Sequence, residues 1–402
     1  MKKNMLLQLC CLCFVLFSCS DDDDVAREIE IPAVESAVLD VEAGGSTEPN
    51  QVYIDLSTKE TTVVRRDAWE LGFVSSENRV ILNNSILVSA ARIEGFTDID
   101  AVTETTTLQS EMDLKSLNPT TFSTIDVSVS TVEELIAGLP VGYEMYGNLE
   151  NDIAFTDSSD GDLDKTALGV IATTEAEAEV YVVSLGKEIP EEPAELESIN
   201  TAGENRGFYK VKVFMQDGSY VLQYAPLNET SHTEVKIAKD EAYNFVPFSL
   251  ANGKQVTVEP AKNEWDLNFT SVFSYYGSMG NIAAGVTYSD YVLHNTTNGV
   301  GVYTVLTEEP GEGEDATPQP TEAPSYDEFT LANVEEAELN FTDRNLIGSS
   351  WRIAGLTDTR LKTDRYYVIK DVEGNYYKLQ FTALMSESGE RGYPQLRYDI
   401  LE

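Results

Sequence analysis

Along most of the chain, short runs rich in Val, Ile, Thr, Tyr and Phe alternate with Gly, Asn, Asp and Ser. Alternation with period two predicts half-buried strands, and the punctuation between runs predicts turns. Long helical periodicity is scarce. The exception is Ser130–Leu139, where Thr131-Val-Glu-Glu134 has the spacing of a capping box and predicts one or two helical turns. Residues 25–45 are acidic, lack turn–strand rhythm and read as a leader. Two Pro- and Glu-rich stretches, Lys187–Glu197 and Glu308–Pro324, cannot supply strand interiors and read as mobile surface loops. The expected fold class is all-β and antiparallel.

The strand pattern repeats. Trp69-Glu-Leu-Gly-Phe73 matches Trp265-Asp-Leu-Asn-Phe269. Each follows a predicted hairpin: Val52–Leu56 with Thr61–Val64 in one case, Val246–Leu250 with Gln255–Val258 in the other, the latter turning at Asn252-Gly253. Downstream, Leu222-Gln-Tyr224 matches Leu379-Gln-Phe381, each after an acidic-Gly turn (Asp217-Gly218, Glu373-Gly374) and before a closing strand, Thr233–Ile237 or Gln395–Ile400. The expectation is two tandem copies of one β domain, 46–238 and 239–402, alike at their ends and divergent in the middle, the first carrying the longer middle. In Trp-acidic-Leu-x-Phe, Trp, Leu and Phe are expected on one strand face and the acidic residue on the other, so that Trp69 and Trp265 anchor cores.

The N-terminus has different chemistry. A short basic segment, Met1–Asn4, precedes the apolar run Leu6–Phe17, which is too short for a typical spanning helix. It ends in Leu16-Phe17-Ser18-Cys19, the pattern of a lipobox. Residues 1–18 are therefore expected to be a lipoprotein signal peptide, Cys19 the lipidation site, and 19–45 a tether. Several acyl chains on one Cys give a stable anchor without a helix. Ser20-Asp21-Asp22-Asp23-Asp24 resembles the acidic export tag of surface lipoproteins of Bacteroidetes-type bacteria, which implies a lipid-anchored place on the outer membrane, facing outward. All four Cys lie at or before position 19, so the body after it has no disulfide and no thiolate chemistry. A formal net charge of −42 excludes nucleic-acid binding through the general field.

The lipobox with its tag, the hairpin leading into Trp-Asp-Leu-x-Phe, Arg79-Val-Ile-Leu-Asn83 before an apolar strand, and the closing block Tyr366–Phe381 together resemble the HmuY-type haem-binding lipoproteins. The resemblance implies an antiparallel β fold that takes haem from host haemoproteins and passes it to an outer-membrane, TonB-dependent receptor, without enzymatic activity. It also implies two axial side chains, His or Met, from loops in the middle of a domain, about 4 Å apart across the iron. The candidate ligands are His294 with Met279 in the second copy, and Met112 with Met145 in the first. His232, Met215 and Met385 read as turn or packing residues. Candidate partners for the haem propionates are Arg79, Arg92, Arg344 and Arg352.

Other chemistries find less. Asp157–Asp164 concentrates carboxylates around a Gly but fails the register of an EF-hand calcium loop. With two His, and with no HExxH, P-loop or dinucleotide fingerprint, catalysis has no visible apparatus. The expected function is haem or haemoprotein binding for iron acquisition. The alternative is a structural or adhesive surface module that has lost haem ligation and binds glycan, calcium or a protein partner.

Overall fold

The structure, a computed structural model, describes residues 36–118, 121, 123–139, 147–148, 153–201, 203–276, 284–309, 317–354 and 359–402. In chain order the strands begin with β1 (Ser36–Asp40), β2 (Asn50–Ile54), β3 (Thr61–Arg65), β4 (Leu71–Val74), β5 (Val80–Leu82) and β6 (Ser89–Ile93). A long hairpin follows, β7 (Thr107–Leu117) and β8 (Thr124–Thr131), and then the helix α1 (Val132–Ala137). The first half ends with β9 (Val180–Ser184), β10 (Phe208–Gln216), β11 (Ser219–Pro226) and β12 (Thr233–Ile237). The second half opens with β13 (Phe245–Ser249), β14 (Lys254–Gln255), β15 (Leu267–Tyr276), β16 (Ala284–His294) and β17 (Gly301–Leu306). The short strands β18 (Glu308–Glu309), β19 (Gln319–Pro320), β20 (Arg352–Ala354) and β21 (Thr359–Leu361) come next. The chain closes with β22 (Arg365–Lys370), β23 (Tyr376–Met385) and β24 (Arg391–Ile400). The all-β expectation holds.

Local chemistry accounts for several of these elements. Thr131 and Glu134 form the expected capping box, each side chain accepting from the other's backbone N–H at 3.2 Å, and α1 starts there. Asp217-Gly218 alone joins β10 to β11, both residues with positive φ (50° and 78°). That mirror-image turn matches the twist of paired strands, and Gly takes its second position without strain. The leader expectation needs correction at its end. Ser36–Asp40 is an edge strand paired with β24, with Ala37 and Leu39 buried and Val38 exposed. The alternation is present in the sequence, but acidic neighbours on the outer face obscure it. In the Pro/Glu-rich stretch after β17, Glu308-Glu309 pairs with Gln319-Pro320 in a two-residue ladder.

Two sandwiches result. In the first, the sheet β12-β11-β10-β9-β6 faces the sheet β14-β13-β4-β5 across Leu71, Phe73, Val211, Tyr220, Leu222 and Phe248. In the second, β1-β24-β23-β22-β17 faces β16-β15-β2-β3 across Ile54, Leu267, Phe269, Tyr367, Leu379 and Tyr398. The halves expected to meet near residue 239 therefore exchange their opening hairpins. β2–β3 pairs with β15, and β13–β14 pairs with β4. All of this lies in one compact unit, Ala33–Glu402.

The Trp motifs explain how the exchange is held. Leu71 and Phe73 enter the first core as expected, but Glu70 does not face out. It is fully buried, and its carboxylate accepts from Leu250 N (2.7 Å) and from Arg206 Nη2 (2.7 Å). Asp266 is buried too and accepts from Leu56 N (2.9 Å). Each acid thus caps the end of the hairpin strand contributed by the other half. Glu70 tolerates burial because a backbone N–H and a guanidinium N–H both meet it, whereas Asp266, met by Leu56 N, is raised by burial to about 8 and keeps its proton at neutral pH.

Two asparagines brace the same turns. Asn83 Nδ2 donates to Arg66 O (2.6 Å) and Trp69 O (2.8 Å), while Asn295 Nδ2 donates to Lys262 O (2.9 Å) and Trp265 O (3.1 Å). Replacing Asn83 with Ala leaves two carbonyls without these donors. The expected loss is about 1–3 kcal/mol of unfolding free energy, read as a lower urea midpoint at unchanged slope. An unchanged midpoint would show that the brace carries no weight.

Candidate functional site

Among the described residues, a wide concavity lies beside β6, the edge strand of the first five-stranded sheet. Two irregular segments lie alongside it. Ala90 N donates to Phe155 O (2.7 Å), Tyr181 Oη to Leu168 O (3.0 Å), and Met215 N to Ala172 O (2.8 Å). Between these anchor points runs a groove of about 600 Å³. That is within the roughly 300–1,000 Å³ of pockets that take cofactor-sized ligands. Its apolar wall includes Met112, Ile153, Phe155, Leu168 and Val170, the last 70% exposed at the rim. Arg92, Glu177 and Glu179 supply its polar side.

Met112 reaches the groove from β7, where it pairs with Val129 just after a register shift in the β7–β8 ladder. Such irregularities re-aim side chains. Tyr181 also lines the groove, but burial raises its phenol above the ordinary value, so it stays a neutral hydrogen-bond donor to Leu168. Among the described wall residues, the Met112 thioether is the group best suited to ligate iron. Arg92 is half-exposed and lies 3.4 Å from Glu179, a loose pair in solvent that leaves the guanidinium available.

A second, smaller cavity of about 130 Å³ lies where the two Trp motifs approach each other. Tyr53 meets Trp265 edge-on at 5.1 Å between ring centroids, and Trp69 lies 5.0 Å from Phe245. Both tryptophans are cavity walls as well as packing residues, which their strand pattern alone did not indicate. Glu259 is buried there. Its Oε1 accepts from Asn244 N (2.7 Å) and Phe245 N (3.2 Å), and burial pushes its carboxyl up to about 8. Asp157, accepting from Leu82 N and Ala167 N, is raised by burial to about 6.

The other residues singled out from sequence are dispersed. His294 ends β16 opposite Leu267, buried in the wall of the smaller cavity, with Nε2 3.2 Å from Asn340 O. Burial lowers its pKa to about 4, so it is neutral. The far end of the described β15–β16 ladder, Tyr276 opposite Ala284, is nine residues and roughly 30 Å away. Met279, Met145 and Cys19 lie outside the described residues. Arg344 lines the smaller cavity and donates from Nε to Ser159 O (2.9 Å). Arg79 pairs with Asp164 at 2.5 Å. Arg352 is taken up with Arg391 around the fully buried Asp290. His232 pairs with Asp100 at 3.0 Å. In the acidic loop, Asp157 turns inward while Asp160 and Asp162 pair with Lys165. No cluster of three or more metal-ligating side chains occurs among the described residues.

Of the sequence candidates, then, Met112 and Arg92 share the large groove, and His294 and Arg344 share the small cavity. Phe155, Tyr181 and Glu259 were not anticipated. They lie far apart in the chain and converge only through irregular segments.

A family profile described as HmuY protein matches residues 47–398. The chain belongs to the HmuY family. Membership makes it, at family level, a surface protein of haem-binding type within a family of binders. A solved structure of apo PinO from Porphyromonas gingivitis is similar to part of this chain, at 10% identity and a TM-score of 0.15. That similarity covers 48% of this chain and 95% of PinO. No curated protein matches. Among the described residues, no helix of this family member is long and apolar enough to cross a membrane.

Proposed function

We propose that the chain is a haem-binding surface lipoprotein, anchored through Cys19, whose haem site is the groove beside β6. The observation that carries this reading is the convergence of Met112 and Arg92 on a groove of about 600 Å³ in an HmuY chain. Met112 supplies one axial thioether, and Arg92 a charged donor for a propionate. The exposed Val170 and the half-buried Ile153 offer apolar surface to the porphyrin. Met145 is the second axial candidate. The lipobox and acidic tag support outward display on an outer membrane, and a haem-receiving receptor is the implied partner.

The test is a haemin titration of residues 33–402, followed by absorbance in oxidised and reduced forms. A saturable Soret shift with low-spin bands is expected, and Met112→Ala and Met145→Ala should each abolish the low-spin bands. A titration indistinguishable from free haemin would overturn haem binding. Normal spectra in Met112→Ala would move the site away from this groove.

A further inference from the structure

A third hollow, separate from the haem groove, opens at one end of the first sandwich. Its floor is one face of the five-stranded sheet. Tyr209 pairs with Pro226 across β10–β11, and Tyr224 pairs with Thr233 across β11–β12, so these four side chains share a face. Its roof is the turn between β13 and β14, Leu250–Gly253. Because β13 is docked on β4 by the exchange of hairpins, floor and roof come from different halves of the chain. The space between them is about 460 Å³ and open to solvent, about three times the roughly 150 Å³ cavity that takes up one benzene ring.

The floor carries hydroxyls that are not used. Tyr224 is more than nine-tenths buried, and its ring is held edge-on against Phe248 at 5.4 Å between centroids. Yet its Oη has no hydrogen-bond partner among the described residues, and the side chain ends in the open hollow. The roof stays clear of it. Gly253, at φ 63°, has no side chain, and a Cβ there would stand 2.9 Å from Tyr224 Oη. The half-buried Tyr209 also lacks a partner for its hydroxyl among the described residues. Burial raises its phenol above the ordinary value, so at pH 7 it is neutral and both donates and accepts. Polar groups this far inside a protein are normally paired, and two phenols without partners on one open floor mark a surface built to meet something polar.

The rest of the lining defines that ligand. Ser231 and Thr233 add exposed hydroxyls. Asn252 Nδ2 donates to Ser249 Oγ (3.0 Å), which leaves its Oδ1 to accept. The ligand must therefore donate and accept at several points. Formal charges offset one another: Glu229 lies in the lining, and the exposed Lys254 directly follows Gly253. Lys210 is no free cation, because its Nζ donates to the carbonyls of Val102 (2.7 Å) and Glu229 (2.6 Å). Neither a cation nor an anion is favoured. The exposed Pro226 adds apolar surface beside the tyrosine rings.

We infer that this hollow binds a neutral saccharide, its hydroxyls met by Tyr209, Tyr224, Thr233, Asn252 and Glu229, and its C–H surface by Pro226 and the tyrosine rings. Sugar hydroxyls donate and accept at once, and the volume admits a hydroxylated ring with room for a second. The experiment is saturation-transfer NMR on residues 33–402 with glucose, galactose, maltose, lactose and N,N′-diacetylchitobiose, followed by titration of each sugar that responds. At least one should receive saturation. Its dissociation constant should rise about tenfold or more in Tyr224→Phe, which removes the hydroxyl and keeps the ring on Phe248. Ser231→Trp, at an exposed position, should fill the hollow and abolish binding. Both variants should keep the wild-type urea midpoint, which separates loss of the ligand from loss of the fold. A disaccharide that binds more tightly than its monosaccharide marks the end of a glycan as the source, and equal affinity marks free sugar. Absence of saturation transfer to all five sugars would overturn the proposal. An affinity unchanged in both variants would do the same.

Discussion

Cutting the backbone between Ala238 and Lys239, at an inserted protease site, leaves the two pieces bound to each other. They should co-elute at the size of the intact unit, and after separation in denaturant neither should refold alone. Mixing them should restore the fold. The reason is the exchange of hairpins. Piece 33–238 contains β4 without its partner β13, and contains β2–β3 without its partner β15. It also lacks Leu250, whose N–H meets the buried Glu70. The first piece cannot repair itself by docking its own hairpin on β4. In the β13 position, β2 would lie antiparallel to β4, which makes β3 and β4 parallel. A parallel connection needs a dozen or more residues. Only residues 66–70 stand between Arg65 and Leu71. Pieces that separate under native conditions, or a first piece that folds alone with a cooperative unfolding transition, would show that the exchange does not hold the halves together.

Glu259→Gln should stabilise the protein increasingly as pH rises from 4.5 to about 8. The folded state holds the Glu259 proton up to about 8 because burial disfavours the carboxylate. The unfolded chain releases it near the ordinary value of 4.5. Between these values the unfolded chain binds fewer protons, so stability falls with rising pH. The whole shift corresponds to a penalty on the order of 5 kcal/mol near its upper end. Gln keeps the side-chain oxygen that receives Asn244 N and Phe245 N, and has nothing to ionise. The wild-type urea midpoint should decline across this range, and the variant's should decline much less. Part of the slope should remain, since Asp266 is raised by burial to about 8 and acts with the same sign. His294 acts oppositely. Held neutral down to about 4, it removes stability as pH falls below 6.5. Equal slopes in wild type and variant would mean that Glu259 does not carry a buried proton.

Much of this architecture can be read from local chemistry. The Thr131–Glu134 box, the Asp217-Gly218 turn and the Leu71/Phe73 alternation depend on neighbouring residues, and each appears as expected. What escaped was set by partners distant in the chain. Glu70 and Asp266 looked like outward-facing acids because the backbone N–H groups that receive them, Leu250 and Leu56, belong to the opposite halves. The two hairpins are chemically similar, so their sequences cannot say which Trp strand each will join. The large groove was half visible. A count of iron-ligating and cationic side chains includes Met112 and Arg92 among its candidates without singling them out, whereas Phe155 and Tyr181 are ordinary strand and loop residues until irregular segments bring them together. His294 stands out in the sequence for its rarity, but its neutral state and its place in the wall of the smaller cavity depend on burial that the strand pattern could not show.

The reciprocal capping of hairpins also limits how this protein can vary over time. A change at Glu70 is felt first at Leu250, and a change at Asp266 at Leu56, so drift in one half must be answered in the other. The four opening elements behave as one inherited joint. In-frame loss of either half would remove a strand pair from the sandwich that remains. Freedom to diversify falls instead to the stretches between the shared ends, 94–179 and 307–364, and the first of these carries most of the large groove. New binding properties can accumulate there while the joint stays locked.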